Sequence, residues 1–280
     1  MRSLIVSADA DSINQNNRHF DVVNISFDYQ REARELFRFL DGEEIPLSLF
    51  VRADQQVEDG FGDIGFVHSM LQEVATPNVR SFWHFHSYDD GRPWRDVAGL
   101  CRDVRRFHPR ARELFGGNKA VRIGSGQGGG LLMATLQELG YEIDSSALPG
   151  LLRQDEHRHY DWLTTPQHPY FPSKDDYRSP GASPLSILEL PLTTIPFKAS
   201  YDLHPKLRQL NPCYRPEIFQ AAVDDHSFED VVIVSFHVEE MVSGYRDDLF
   251  LYGLNNFRRN FDYLRASIKG HIPRHVDELT

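Results

Sequence analysis

Asp9 and Asp11 stand two residues apart where the apolar run SLIVSA gives way to DAD. In an extended strand, side chains at i and i+2 share one face. Two carboxylates held side by side repel unless a cation lies between them or one takes up a proton. The pair therefore reads as a metal ligand beside a carboxylate base, or as a turn that caps the next element. His84 and His86 repeat the spacing in WHFHSYDD, with Asp89 and Asp90 close behind. Paired imidazoles near carboxylates form a donor set for zinc and related divalent metals, although a lone His more often belongs to a core or a surface. His237 ends the apolar run VVIVSFH, where it can exchange a proton near neutral pH or simply hydrogen-bond in the core.

These residues need strands to hold them. The chain alternates short apolar runs with segments of helical period. Strands are predicted over 3–8, 45–51, 80–86, 120–124, 141–144, 187–194 and 231–237. Helices are predicted over 29–41, 64–75, 96–107, 131–140 and 245–268. That alternation indicates a parallel α/β sheet, open or closed into a barrel. In such folds the reactive groups sit where strands end. Asp9, Asp11, His84, His86, Arg122 and His237 all fall at or near predicted strand ends. Residues 150–184, rich in His, Pro, Asp and Tyr, read as an extended surface loop within one domain spanning 1–280.

A second motif competes. Gly124, Gly126 and Gly129 form G-x-G-x-x-G between a strand and a helix, with Asp144 where a ribose-binding acid would stand. This is the fingerprint of an NAD(P)-dependent oxidoreductase. Against it, the preceding strand carries Arg122, whereas that strand is normally buried on both faces. It also leaves the Asp and His pairs unused. His157, His159 and His168 could form another metal cluster but read as spare histidines of a loop.

The net charge of -11 argues against nucleic acid and anionic membranes as partners. The basic run Arg102–Arg112 is diluted by Asp103 and reads as a solvated helix face. No segment approaches the ~18 apolar residues of a membrane span. Two distant cysteines, Cys101 and Cys213, and no leader-like start suit a cytoplasmic protein.

Taken in order, the motifs resemble those of the polysaccharide deacetylase (NodB-homology, carbohydrate esterase) superfamily, nearest its divergent WbmS-like branch. The resemblance spans nearly the whole chain. SADAD matches the opening motif at Asp9 and Asp11, and LFRFLDGEEIPLSLFV matches the following helix and strand. His86-Ser87-Tyr88-Asp89-Asp90 stands where the family has H-[S/T]-x-x-H, so Asp90 replaces the second His. Arg122 with LQELGYEIDSSALPG, ILELPLTTIP with Glu189, and VSFHVEEM with His237 supply the rest. Asp28 in SFDYQ is a rival opening motif that lacks a second carboxylate.

The resemblance implies a distorted (β/α) barrel of about seven parallel strands. It implies a divalent metal, zinc by default, held by Asp11 and His86 with Asp90 or His84 as third ligand. Asp9 would be the base, Arg122 its partner and His237 the acid. Trp83, Tyr88 and Glu189 would contact the substrate. The implied reaction removes an acyl group, N-acetyl first among candidates, from a sugar or a nucleotide- or lipid-linked precursor, in the setting of O-antigen (lipopolysaccharide) biosynthesis. The oxidoreductase and an inactive carbohydrate-binding barrel stay open as alternatives.

Overall fold

The computed structural model describes residues 2–10, 29–52, 76–86, 88–89, 92–93, 96–154, 159–241 and 244–279. The helix expected over 64–75 and the residues Asp11, Asp28, Asp90 and His157 lie outside them.

Seven parallel strands form the main sheet: β1 (Ser3–Ala10), β2 (Leu47–Arg52), β3 (Val79–Phe85), β4 (Ala120–Ile123), β5 (Ile143–Asp144), β6 (Leu188–Glu189) and β7 (Val231–His237). Their order is β6-β5-β4-β3-β2-β1-β7, and Ile272–Arg274 adds a further parallel partner to β1. Among the described residues five helices pack around it: α1 (Tyr29–Gly42), α2 (Val97–Phe115), α3 (Gly130–Glu138), α4 (Pro216–Asp224) and α5 (Leu254–Ser267). Every residue of β1 and β2 is buried, as expected where both faces of a sheet are covered.

Strand alternation sorts the core in two. Leu4, Val6 and Ala8 of β1 join the larger cluster with Leu36 and Leu40 of α1. Ile5, Phe50, Phe82, Ala120, Ile143, Leu188 and Ile233 form a separate interior cluster. The sheet curls around this second cluster into a half-barrel. No ladder joins β6 to β7 among the described residues. The outer edge of β7 is met instead by the chain beyond β6: Ile233 N donates to Thr193 Oγ1 at 2.8 Å and Ser235 N to Leu210 O at 3.1 Å. This is the distorted (β/α) barrel expected from the motif order.

Three elements differ from expectation for identifiable reasons. The β6 ladder is short because its partner β5 ends at Asp144: Leu190 N still donates to Asp144 O, Leu192 N already meets Ala147 O beyond it, and the chain turns into the ribbon Thr194–Phe197 with Lys206–Gln209. Helix α2 runs through Pro109 to Phe115, because Phe107, Ala111 and Phe115 extend its buried stripe; Asp96 caps its start by accepting from Ala98 N and Gly99 N. Helix α5 starts only at Leu254. Before it, the Asp247 side chain accepts from Leu249 N and Phe250 N, and Gly253 takes φ 127°, which side chains disfavour. The 150–184 segment is more than a surface loop, since Trp162 and Tyr170 within it are buried at 0% and 4% exposure.

Phe82 is fully buried in the interior cluster, with its ring centroid 5.5 Å from that of Phe50. Phe82→Ala should cost about 3–5 kcal/mol of stability. Urea denaturation would measure this, and a loss below about 1 kcal/mol would show the interior cluster to be loosely packed.

Candidate active site

Arg122 enters the barrel from β4 and lies over the Phe50 ring, 4.0 Å from its centroid. Its Nη1 donates to Asp9 Oδ1 at 2.6 Å. The remaining donors are taken up around it: Nε by Ser145 O at 2.9 Å, and Nη2 by Ser7 Oγ at 2.9 Å and Ser145 Oγ at 3.2 Å. Ser7 Oγ in turn donates to Val234 O. Arg122 and Asp9 are 2% and 8% exposed, so the pair is desolvated. Burial pushes the Asp9 carboxyl up. The charges of Arg122, His84 and His237 and the Arg122 hydrogen bond outweigh it, and Asp9 settles below the ordinary carboxylate range.

His84 is buried beside this pair, with Nε2 3.9 Å from Asp9 Oδ2. Its Nδ1 lies 3.0 Å from Arg122 O. A carbonyl can only accept, so Nδ1 carries a proton, and in the neutral ring Nε2 keeps the lone pair. That lone pair meets His86 Nε2 at 2.9 Å. Two arrangements satisfy the contact: His86 donates an N–H, or both nitrogens face one cation. Nitrogens sharing a tetrahedral cation at about 2.0–2.1 Å each stand about 3.3 Å apart, so the contact would open slightly to admit one. Among the described residues no group of three or more His, Cys, Asp or Glu is gathered around a metal position. His237 stands opposite Asp9 in the β1–β7 register, half-exposed at the mouth.

The expected substrate contacts need correction. Trp83 alternates away from His84, packs on Phe85 and Tyr141, and is 1% exposed, so it faces the helical layer and not the mouth. Glu189 also turns from the interior, which is filled by its neighbours Leu188 and Leu190. It is wholly buried with Asp144, its register partner, and accepts from Ala147 N at 3.0 Å. Ser146 Oγ donates to Asp144. The Tyr88 side chain lies outside the described residues, as does that of His159, and His168 is exposed.

The glycine run has a packing role. A Cβ on Gly124 would sit 2.1 Å from His86 Nε2, one on Gly126 would meet Leu148 at 2.8 Å, and one on Gly129 would meet Val97 at 3.0 Å. The open side of each fingerprint glycine is thus taken by this chain's own side chains. Asp144, the would-be ribose ligand, is 0% exposed. Sequence reading passed over Glu240, which holds His237, and Ser7, Ser145 and Ser235 around Arg122. Serines in strands carry no distinctive signal, and VEEM offers two adjacent glutamates without saying which faces the His.

No protein-family model and no curated protein matches the chain. Solved structures do. A candidate polysaccharide deacetylase from Mycobacterium smegmatis overlaps with TM-score 0.56 at 14% identity, over 99% of this chain and 88% of that one. A candidate glycoside hydrolase/deacetylase from Parabacteroides distasonis gives 0.58 at 10% identity, over 96% and 66%. The O-antigen protein WbmS from Bordetella bronchiseptica gives 0.42 at 11% identity, over 96% and 85%, too loose an overlap to assign the branch. The chain therefore has the fold seen in these polysaccharide-deacetylase-type structures.

Two predictions follow from this geometry. Gly124→Ala should displace His86 and destabilise the protein, whereas the same change in a His86→Ala background should be tolerated. A double-mutant cycle should give a coupling of about 1–2 kcal/mol, and additive losses would refute the seat. Burial, and for Glu189 the Asp144 charge next, raises both carboxyls of the other pair, Asp144 to about 6 and Glu189 well above its ordinary range. The folded state thus keeps a proton that the unfolded state releases above about 4. The contribution of this pair to stability should be greatest in acid and fall as pH rises through about 6. Melting temperatures from pH 4 to 8 should show this slope, and Glu189→Gln should flatten it.

Proposed function

We propose that this chain is a metal-dependent hydrolase that removes an acyl group, N-acetyl first among candidates, from a sugar or polysaccharide precursor. The observation that carries the reading is the buried Arg122–Asp9 ion pair beside the His84–His86 contact, at the end of the barrel where His237 also emerges. The fold shared with deacetylase-type structures supports it.

The residues fit a cation of the zinc class. Nδ1 of His84 is committed to Arg122 O, which leaves Nε2 as a donor beside that of His86. His84 and His86 would hold the metal with Asp11, the further ligand the motif order suggests, and Asp90 is the alternative to His84. When bound, the metal supplies a Lewis acid that polarises the acyl carbonyl and acidifies water. Asp9, kept ionised by Arg122, accepts the proton of the water that adds to the carbonyl. His237 donates a proton to the sugar nitrogen as the C–N bond breaks, so acetate and the amine leave. Glu189 and Trp83 play no part in this reading.

No helix among the described residues is long and apolar enough to cross a membrane. Cys101 and Cys213 are both unpaired and buried, which supports a cytoplasmic setting. We place the substrate among surface-polysaccharide precursors on the motif resemblance, with zinc as the expected metal.

Asp9→Asn should keep bound metal but lower acetate release about a hundred- to ten-thousand-fold, since an amide cannot accept the proton. Asp11→Asn should weaken metal affinity, with activity partly restored at high metal. His237→Ala should resemble Asp9→Asn on acetamido sugars but be milder on activated aryl esters, whose leaving group needs no proton. Metal stoichiometry and acetate release for the three variants test the roles. Loss of metal from Asp9→Asn together with retention in Asp11→Asn would exchange the two aspartates, and full turnover in Asp9→Asn would overturn the mechanism.

A further inference from the structure

Glu240 lies on the 3-10 turn Val238–Met241 that follows β7, and is 4% exposed. Its two oxygens have different partners. Oε2 accepts from Asn211 Nδ2 at 2.8 Å and from the backbone N of His237 at 3.2 Å. Oε1 faces Nδ1 of His237 at 3.4 Å. Asn211 is wholly buried, and its Oδ1 accepts from Cys213 N at 2.8 Å. The amide therefore cannot flip without losing that bond, and it presents its NH2 to Glu240. The Glu240 backbone is tied as well, its carbonyl accepting from Gly253 N at 2.9 Å. One carboxylate oxygen is thus committed to the fold, and the other is aimed at the His237 ring.

We infer that Glu240 is a positioning residue for His237, accepting a hydrogen bond from Nδ1–H and so assigning proton exchange to Nε2. The catalytic meaning of this rests on the hydrolase reading above; the tautomer itself does not. A carboxylate only accepts, so Nδ1 must donate. Neutral His237 then carries its lone pair on Nε2, and protonated His237 has there the N–H that a leaving amine needs. The negative charge of Glu240 also steadies the imidazolium. Among two adjacent glutamates, only the turn geometry selects Glu240.

A purely structural role would have Glu240 do no more than cap the turn through His237 N. The two oxygens separate these roles. In Glu240→Gln the amide oxygen must keep the Oε2 position, because Asn211 Nδ2 and His237 N both donate there. The new NH2 then takes the Oε1 position and donates to Nδ1. The cap survives while the ring tautomer inverts. Long-range 1H–15N spectra of the imidazoles should show His237 as the Nδ1–H form in the native protein and the Nε2–H form in Glu240→Gln, with little change in melting temperature. On acetamido sugars kcat should fall about a hundredfold with KM within about twofold, while turnover of an activated aryl acetate should fall less than about threefold. An unchanged tautomer would overturn the inference, as would equal losses on amide and aryl ester. Absence of acetate release by the native protein would sink the hydrolase reading alone, and the tautomer, read without turnover, would then decide the role of Glu240.

Discussion

The Arg122–Asp9 contact is the constraint around which the mouth of the barrel is organised. Both groups are almost wholly buried, and two desolvated charges persist only when each spare donor and lone pair is satisfied. The structure meets this demand with small residues at inward positions. Ser7 of β1, Ser235 of β7 and Ser145 after β5 all stand around the guanidinium, where larger apolar side chains would fill the space and bond nothing. Phe50 supplies the floor through its ring face. The Arg122 carbonyl then accepts from Nδ1 of His84, so the residue that holds Asp9 also sets the tautomer of the neighbouring His. Charge, tautomer and strand register are coupled through one side chain and its backbone.

The same chemistry is driven in opposite directions elsewhere in the same sheet. Asp9, with Arg122 and two imidazoles nearby, is held below its ordinary range despite burial. Asp144 and Glu189, equally buried but facing each other, are pushed up. The first environment suits a carboxylate that must be ionised, and the second a pair that keeps a proton and ties the turn after β5 through Ser146 and Ala147. This division explains why Glu189, a plausible pocket residue by motif, belongs to the scaffold.

The glycine run and the 150–184 segment also make sense only together. Trp162 Nε1 donates to Gly126 O at 2.7 Å, and a Cβ on Gly128 would meet the Trp162 ring at 2.4 Å. The glycines lie where aromatic and imidazole rings come down on the backbone after β4. A pattern that resembles a phosphate cradle in one dimension is a packing surface in three, and one of the rings it admits is His86.

Much of this was legible in the sequence. Apolar runs of β length alternating with helical periods specify a parallel α/β sheet, since strands buried on both faces need apolar residues throughout. The i, i+2 spacing of His84 and His86 carries their juxtaposition, because strand pleating puts alternate residues on one face. Arg122 inside an otherwise apolar strand declared an inward charge that needed a partner. Other features depended on the tertiary structure. Which way Trp83 and Glu189 turn follows from the curl of the sheet, and a one-residue difference reverses the face. That β7 is met by Thr193 and Leu210, with no ladder to β6 among the described residues, follows from how the chain turns after β6. The clamp of Glu240 by Asn211 joins residues 29 positions apart, and its geometry exists only once the turn after β7 is packed against them. Local periodicity records which face a residue shares; the identity of its partner across the barrel is written in no local pattern, because non-local register and packing decide it.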